Sequence, residues 1–587
     1  MNEPGLNNKM SLIVECKKLC LRRCMLALFY SIAMQYLLLG FFLFFINFHV
    51  LHPLNWISGT IRVLFSFYTW FSILPLIGSV VLYSILLGKS FLAVKHYYPT
   101  RFQWLIYTAP RKVLFFILHL LVGYLTAWLY TSFLHVDYRN IVCECFGTKC
   151  INSRYLFLIC VGFFASCLHF TRENLRTDPE LEFPIIQELM LIRIRSLVYR
   201  TLYNSFLKSF SPTICFALAY WLIAGIINRY FAGVFALDVD ETTLSFISIA
   251  VNIRLLFYAW ILTAQILSNM HLMHRFFVIH LSEEVAFIIE RKPVLCGTGL
   301  EEITLVDALN SSLVPVVQNL GARDLYNLSS NKMDNRRKEI FALSVPGAHP
   351  YNWNQLSSQC LCLINAFTEE LAASLKKISV VKTAPLFSTI KPTTATEAAE
   401  KILLRQYNET YGIRRMMTET SQENAETVKK MSPACKRIHD QVEKIKKQFE
   451  ETLRAAFRTI PGLYYMFGEP EGAKTAYLLS NSETILWIVQ GLASVCTASL
   501  MEDKYGVVQI TLPQVIKSLL TLKTELDKLN NVNLNGRKMD RNFITLKNGV
   551  KRSLYNICTV FSDYLREIVD SSEDLRKLQC YVHYVET

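Results

Sequence analysis

Long apolar runs, free or almost free of charge, fill most of the first 270 positions. A helix rises about 1.5 Å per residue and needs roughly 20 apolar residues to cross the hydrocarbon core of a bilayer. Backbone groups cannot stay unpaired in lipid, so such runs must be helical there. The sequence predicts six membrane-spanning helices, at residues 25–48, 63–87, 113–134, 155–170, 209–228 and 247–270.

Beyond residue 270 the pattern changes to that of a soluble α-rich domain. From Pro433 a single apolar stripe continues at steps of three and four residues, after Ser432 as a helix cap. Helical patterns recur at 484–501, 513–530 and 545–569, and no strand-like alternation is sustained. The predicted fold class is all-α: a polytopic membrane protein with six transmembrane helices followed by an α-helical cytoplasmic C-terminal domain.

The run at 484–501 is a candidate seventh span because it contains no charge over 18 residues. It includes Gln490, Ser494 and Thr497, and a seventh crossing would carry the lysine-containing C-terminus into the lumen. We interpret this run as a buried core helix.

Composition shifts divide the chain into five predicted segments. Residues 382–398 are rich in Thr, Ala and Pro and are typical of a linker. The segments are an N-terminal stretch (1–24), the transmembrane domain (25–270), the first part of the cytoplasmic domain (271–381), the linker (382–398) and an α-helical C-terminal part (399–587).

The net charge of +14 raises the question of nucleic-acid binding. Residues 1–270 contain 22 Lys and Arg against 12 Asp and Glu, whereas the remainder contains 39 against 35. The basic excess therefore flanks the apolar runs, and no basic stripe marks a soluble domain. We expect no direct nucleic-acid partner.

The distribution of basic residues between the spans predicts the topology. Segments 1–24, 88–112 and 171–208 contain 16 Lys and Arg, whereas the three intervening loops contain 5. Positive loops stay on the cytoplasmic side, so both termini are predicted to be cytoplasmic. Arg254 then lies near the lumenal end of the sixth span, where its long side chain can reach the interface.

Three cysteines, Cys143, Cys145 and Cys150, lie in the predicted lumenal loop between spans three and four. The lumen is oxidising, so a disulfide can persist there, although three cysteines cannot all pair within one loop. Unpaired thiols are the alternative. The 16 cysteines of the chain form no paired CxxC motifs, so we expect no structural zinc site.

No catalytic signature is recognisable. The chain contains no Walker A loop, GxSxG elbow, HExxH motif or Rossmann glycine pattern. We therefore predict that the chain is not an enzyme and has no cofactor.

Two stretches of unusual composition stand out in the C-terminal half. Residues 341–353 read FALSVPGAHPYNW, and residues 502–513 read EDKYGVVQITLP. Pro-Gly and His-Pro force turns in the first stretch, while its aromatic ends can anchor the loop to a core. We predict that these residues determine the fold or a partner contact: Phe341, Leu343, Ser344, Pro346, Gly347, His349, Pro350, Asn352, Trp353, Tyr505, Gly506 and Pro513.

These two stretches resemble the integral membrane nucleoporins of the Ndc (nuclear division cycle) family. The resemblance covers nearly the whole chain, since family members also have six N-terminal spans and a cytoplasmic C-terminal half. It implies a nuclear pore subunit in the pore membrane that supports pore assembly by tethering soluble nucleoporins. The implied partners are the nuclear membrane bilayer, a small RRM-like membrane-binding nucleoporin, the WD-repeat protein Aladin and other pore membrane proteins.

A six-span transporter or channel subunit with a cytoplasmic regulatory domain is the alternative. That class requires polar residues lining a path or paired broken helices. Gln35, His119 and Arg254 are isolated in the sequence, and no internal repeat is visible.

Overall fold

The computed structural model describes residues 4–47, 52–145, 148–175, 181–184, 188–238, 252–290, 303–331, 334–344, 347–383, 465–468, 472–533, 541–569 and 571–582. The helix predicted from Pro433 and all but the first two residues of the predicted linker lie outside these residues. The described part is almost entirely helical, which confirms the predicted fold class.

The N-terminal region consists of long helices and one small hairpin. The short helix α2 follows α1 in the sequence, and a π-helical turn extends α6. The elements are α1 (Pro4–Ile46), α2 (Pro53–Leu64), α3 (Phe67–Leu92), α4 (Arg101–Thr131), α5 (Val136–Arg139), β1 (Val142–Cys145), β2 (Thr148–Ile151), α6 (Ser153–His169), α7 (Met190–Lys208), α8 (Phe210–Phe235) and α9 (Ile253–Leu281).

The C-terminal region consists of helices alone in the described residues. They are α10 (Leu305–Asn310), α11 (Pro315–Ser330), α12 (Arg336–Ile340), α13 (Tyr351–Thr383), α14 (Ala473–Ser480), α15 (Ser482–Glu502), α16 (Leu512–Asn533), α17 (Arg541–Val560), α18 (Leu565–Ile568) and α19 (Ser572–Val582).

The chain divides into two compact units. The first contains Met1–His96, Thr108–Thr368 and Ser480–Thr587, and the second contains Tyr97–Tyr107 and Glu369–Leu479. In the second unit the Arg101 guanidinium lies 3.6 Å from the centre of the Tyr465 ring. The predicted boundaries at residues 270 and 381 stay predictions.

Seven helices in the described residues are long and apolar enough to cross a membrane. Six contain or overlap the predicted spans, and the seventh is α15. Helix α15 packs between α11 and α17. Both neighbours contain charged residues, Arg323 and Asp324 in α11 and Lys547 and Lys551 among those of α17. This packing favours the interpretation of α15 as a core helix.

Helices α4 and α6 approach each other at glycine residues. A Cβ atom added to Gly123 would lie 2.7 Å from the Gly162 carbonyl oxygen, and one added to Gly162 would lie 2.7 Å from the Ala127 Cβ. Small residues allow this close backbone approach, which is the usual way for helices to associate in lipid.

Helix α9 is the central element of the N-terminal region, since it packs against α1, α6, α7 and α8. Its second half is almost completely buried, including Met273, Phe276 and Phe277. Helix α7 is hydrogen-bonded into α8 through Ser209, whose N–H donates to the Ser205 carbonyl at 2.9 Å. The two form one continuous helix, so α7 extends the fifth span.

Candidate functional site

The first motif stretch connects α12 to α13 through a tight loop. The Ser344 N–H donates to the His349 carbonyl at 2.9 Å, and the Ala348 N–H donates to the Ser344 carbonyl at 2.9 Å. Gly347 has a φ of +113°, which is accessible to glycine and strained for other residues. Local hydrogen bonds therefore close this loop.

Two aromatic side chains anchor the loop from its ends. Phe341 and Trp353 are buried, and their ring centres lie 6.4 Å apart. The Asn352 amide donates to the Glu339 carbonyl at 3.0 Å, which fixes the start of α13 against α12. Leu343 and Pro350 are half-buried, whereas His349 is exposed. Pro346 lies outside the described residues.

The second motif stretch is the turn that joins α15 to α16. The Asp503 carboxylate accepts the N–H groups of Tyr505 and Val508, both at 3.0 Å. Gly506 has a φ of +67°, in the left-handed region that favours glycine. Pro513 is the second residue of α16, and prolines are tolerated in the first turn of a helix.

The structure brings the two motif stretches together. The Trp353 indole N–H donates to the Thr511 hydroxyl at 2.9 Å. Arg337, in α12 before the first stretch, forms an ion pair with Glu502, and its Nε donates to Glu502 Oε2 at 2.8 Å. The two stretches therefore form one structural unit, which sequence reasoning alone did not pair.

A second arginine, Arg336, joins this unit to the segment that follows α9. Its guanidinium lies 3.0 Å from Asp324 Oδ2 and 2.8 Å from Asp334 Oδ2, and it donates to the Phe287 carbonyl at 2.9 Å. The hydrogen bond from Arg336 lowers the pKa of Asp334. Burial raises the pKa of Asp324 despite its hydrogen bonds from Arg336 and the Phe287 N–H.

Sequence reasoning missed these two arginines. The adjacent pair Arg336–Arg337 lies two residues before the apolar residues Ile340 and Phe341, with Lys338 and Glu339 between, and this spacing does not identify a partner. Their carboxylate partners lie as far as 165 positions away.

Exposed apolar side chains lie in the second motif stretch and directly before it. Met501 is 90% exposed, Ile510 78% and Tyr505 63%. Tyr351, at the start of α13, is also exposed. A groove between α13 and α16 is lined from Asn354 and Thr511, which are close in sequence to Tyr351 and Ile510. Large apolar and aromatic residues at the rim of a groove are typical of protein-contact surfaces.

The three loop cysteines lie in or beside the hairpin of β1 and β2. Cys143 lies directly opposite Cys150, and Cys145 lies opposite Thr148. Opposed residues of an antiparallel pair have Cα atoms about 4.5–5.5 Å apart, within the range of a disulfide. Cys143 and Cys150 are the pair that the fold brings face to face, and the disulfide stays a prediction.

Several histidines gather inside the helical bundle. The ring centres of His119 and His169 lie 5.5 Å apart, and those of His169 and His271 lie 4.8 Å apart. In the described residues no group of three or more His, Cys, Asp or Glu side chains is arranged to hold a metal ion.

These features define an α-helical polytopic membrane protein whose bundle continues into a helical C-terminal core. A family model described as "Nucleoporin protein Ndc1-Nup" matches residues 18–579. The chain therefore belongs to the Ndc1 nucleoporin family and is a membrane protein of the nuclear pore.

Relatives from insects and vertebrates cover nearly the full length. The Nucleoporin Ndc1 of Drosophila pseudoobscura pseudoobscura is 43% identical over 578 residues, covering 98% of this chain and 99% of that protein. The Nucleoporin Ndc1 of Drosophila melanogaster is 43% identical over 569 residues, covering 96% and 97%. The Nucleoporin NDC1 of Homo sapiens is 25% identical over 643 aligned positions, covering 93% and 94%.

The family resemblance inferred from residues 341–353 and 502–513 is thereby confirmed. A nucleoporin of this family is a structural component of the pore, so the prediction that the chain is not an enzyme is also confirmed.

Proposed function

We propose that this chain anchors the pore scaffold in the nuclear envelope and supports pore assembly by tethering soluble nucleoporins. The proposed arrangement has six crossings, both termini in the cytoplasm and the β1–β2 hairpin in the lumen. The proposed partners are the RRM-like membrane-binding nucleoporin, the WD-repeat protein Aladin and other pore membrane proteins.

The observation that carries this proposal is the junction between the bundle and the C-terminal core, both of which belong to the first unit. The Arg23 guanidinium, from α1, donates to the carbonyls of His280 and Leu281 at 3.3 Å. Arg323, from α11, lies 2.7 Å from Glu284, directly after α9. Arg23 thus joins two helices of the bundle, while α11 of the C-terminal core also packs against α1 and α3. A load applied to the C-terminal core would therefore pass into more than one membrane helix.

The arginines at this junction are almost fully shielded from solvent. Arg23 is buried, and the Arg323 side chain lies 5.7 Å from the Phe183 ring centre and 5.9 Å from that of Trp487. Charge-assisted bonds in such surroundings are stronger than those between exposed groups. A fixed junction suits an anchor better than a loosely tethered regulatory domain.

For the two motif stretches we propose a divided role. The buried residues Phe341 and Trp353 determine the fold of the C-terminal core. The exposed Tyr505 and its neighbours provide a contact surface.

Depletion of the chain followed by counting of assembled pores tests the function. We expect fewer pores and loss of soluble nucleoporins from the nuclear rim, with restoration by the full chain. Unchanged pore number and composition after depletion would refute the anchor role.

Topology is tested separately with a glycosylation acceptor inserted between Cys145 and Thr148. We expect the acceptor to be glycosylated, and added protease to remove the C-terminal region from sealed nuclear-envelope vesicles. An unmodified acceptor together with a protected C-terminus would reverse the proposed orientation.

A further inference from the structure

The groove between α13 and α16 has a volume of about 650 Å³ and an unusual lining. Eight of its eleven lining residues have hydroxyl or amide side chains, and only Lys517 is charged. The lining residues are Asn354, Ser357, Ser358, Leu361, Cys362, Asn365, Thr511, Gln514, Lys517, Ser518 and Thr521.

The lining follows from the spacing of polar residues on two helices. In α13 the exposed lining residues Asn354, Ser358, Cys362 and Asn365 recur at intervals of four, four and three. Residues at such intervals lie on one face of a helix. The groove is thus lined mainly by polar residues, with Leu361 and Cys362 adding apolar surface, and both helices direct other apolar faces into the core.

Hydrogen bonds fix the two walls relative to each other. Trp353 donates to Thr511 at 2.9 Å at one end, and the Ser518 hydroxyl donates to Asn365 Oδ1 at 2.7 Å further along. A preformed groove reduces the entropy lost when a partner binds.

The chemistry of the lining distinguishes between kinds of partner segment. A helix satisfies its own backbone hydrogen bonds and docks through apolar contacts, whereas an extended segment presents unpaired N–H and C=O groups. Hydroxyl and amide side chains along a groove can form hydrogen bonds with the backbone of an extended segment. From Asn354 to Asn365 the wall extends about 16 Å, which accommodates about five extended residues.

The charge of Lys517 and the exposed apolar residues near the groove add two further requirements for the bound segment. The Lys517 ammonium favours a carboxylate on the bound segment. Ile510 directly precedes the groove residue Thr511, and Tyr505 lies in the same turn. These exposed side chains provide an apolar contact for residues that flank the bound stretch.

We propose that this groove binds an extended segment of about five residues, containing Asp or Glu, from a soluble nucleoporin. The inference rests on the proposed tethering function and assigns that function to one surface.

The test places the photoreactive residue p-benzoylphenylalanine at Gln514 in the full-length chain in cells. A matched variant contains it at Glu567, which is exposed on α18. We expect a cross-link from position 514 to a pore component, mapped by mass spectrometry to an acidic stretch outside its folded domains. Cross-links to a helix, to lipid or to the chain's own residues, or equal yield from both positions, would overturn the proposal.

Charge substitution provides the second arm. We expect Lys517→Glu to reduce the cross-link from position 514 at least fivefold, and Lys517→Met to reduce it severalfold without introducing repulsion. Lys528→Glu, on the same helix but outside the groove lining, is the control and should remain within twofold. Equal effects of Lys517→Glu and Lys528→Glu would contradict a specific carboxylate contact.

A synthetic octapeptide of the mapped stretch is then titrated against the purified full-length chain by fluorescence anisotropy. Replacing its Asp and Glu with Asn and Gln should weaken binding about tenfold. If pores are lost on depletion but form normally with Lys517→Glu, the groove assignment fails while the anchor function stands. If depletion itself has no effect, the proposed function fails as well.

Discussion

The helical bundle and the C-terminal core both bury large apolar side chains, yet they differ in the side chains that cover their outer surfaces. In the bundle, large apolar side chains such as Phe67, Phe71 and Leu222 are directed outwards and are at least 70% exposed, while Gly123 and Gly162 meet inside. In the core, Ile488, Val489 and Leu492 are buried. The first arrangement suits a lipid environment, where apolar side chains gain nothing by leaving the surface.

Helix α15 has the apolar composition of a span but lies in the C-terminal core. Its composition matches that of the spans, but both of its broad faces are covered by helices containing charged residues. Apolar content alone therefore does not distinguish a span from a core helix. The packing of α15 between α11 and α17, two helices of the C-terminal core, does.

The largest expected effect concerns the centre of the core. Trp353→Ala should destabilise the C-terminal core by about 3–5 kcal/mol, because a fully buried indole is removed and the Thr511 hydroxyl no longer accepts the indole N–H. Thermal unfolding of the purified chain measures this loss. Tyr351→Ala, on the exposed side of the same helix, should change stability by less than about 0.5 kcal/mol. Similar losses for both variants would contradict the assigned core.

Removal of Arg337 tests whether the core also depends on buried charge. Arg337→Ala leaves Glu502 without its ion pair and the Ser329 carbonyl without its donor, so a loss of about 3 kcal/mol is expected. The double variant with Glu502→Gln should recover part of this loss because no unpaired charge remains. A double variant that is no more stable than Arg337→Ala would show that the guanidinium acts by packing alone.

A glycine substitution tests whether the helices of the bundle depend on close backbone approach at small residues. Gly162→Ala should destabilise the bundle by about 1–3 kcal/mol because the new methyl group meets the backbone of α4. Gly78→Ala in α3 is the matched control, since nothing lies within 4 Å of a Cβ atom there. The thermal midpoint in detergent should fall for the first variant only. Equal midpoints would show that α4 and α6 are further apart.

The smallest expected effect is the pH dependence at Asp334. Its pKa is lower in the folded chain than the usual 3.8, so its bond to Arg336 contributes stability above that pH and loses it as the pH falls through the folded value. Asp324, whose pKa is raised by burial, contributes with the opposite sign. Asp334→Asn should cost about 0.5 kcal/mol at neutral pH. A cost that persists undiminished near pH 3 would contradict the ionic origin.

The sequence by itself determined where the long apolar helices of the N-terminal region lie, the α-rich character of the C-terminal half and the family. These depend on local composition, since the length of an apolar run and the distribution of turn residues need no distant partner. The aromatic ends of residues 341–353 were likewise readable as anchors, and Phe341 and Trp353 are buried.

Only the tertiary structure decided that Trp353 meets Thr511, that Arg337 meets Glu502 and that two polar helix faces form a groove. These pairs are separated by more than 150 positions, and each polar strip alone resembles an ordinary solvated face. The two polar strips form a groove only when α13 packs against α16. A groove needs two surfaces, so the sequence of a single segment does not encode it.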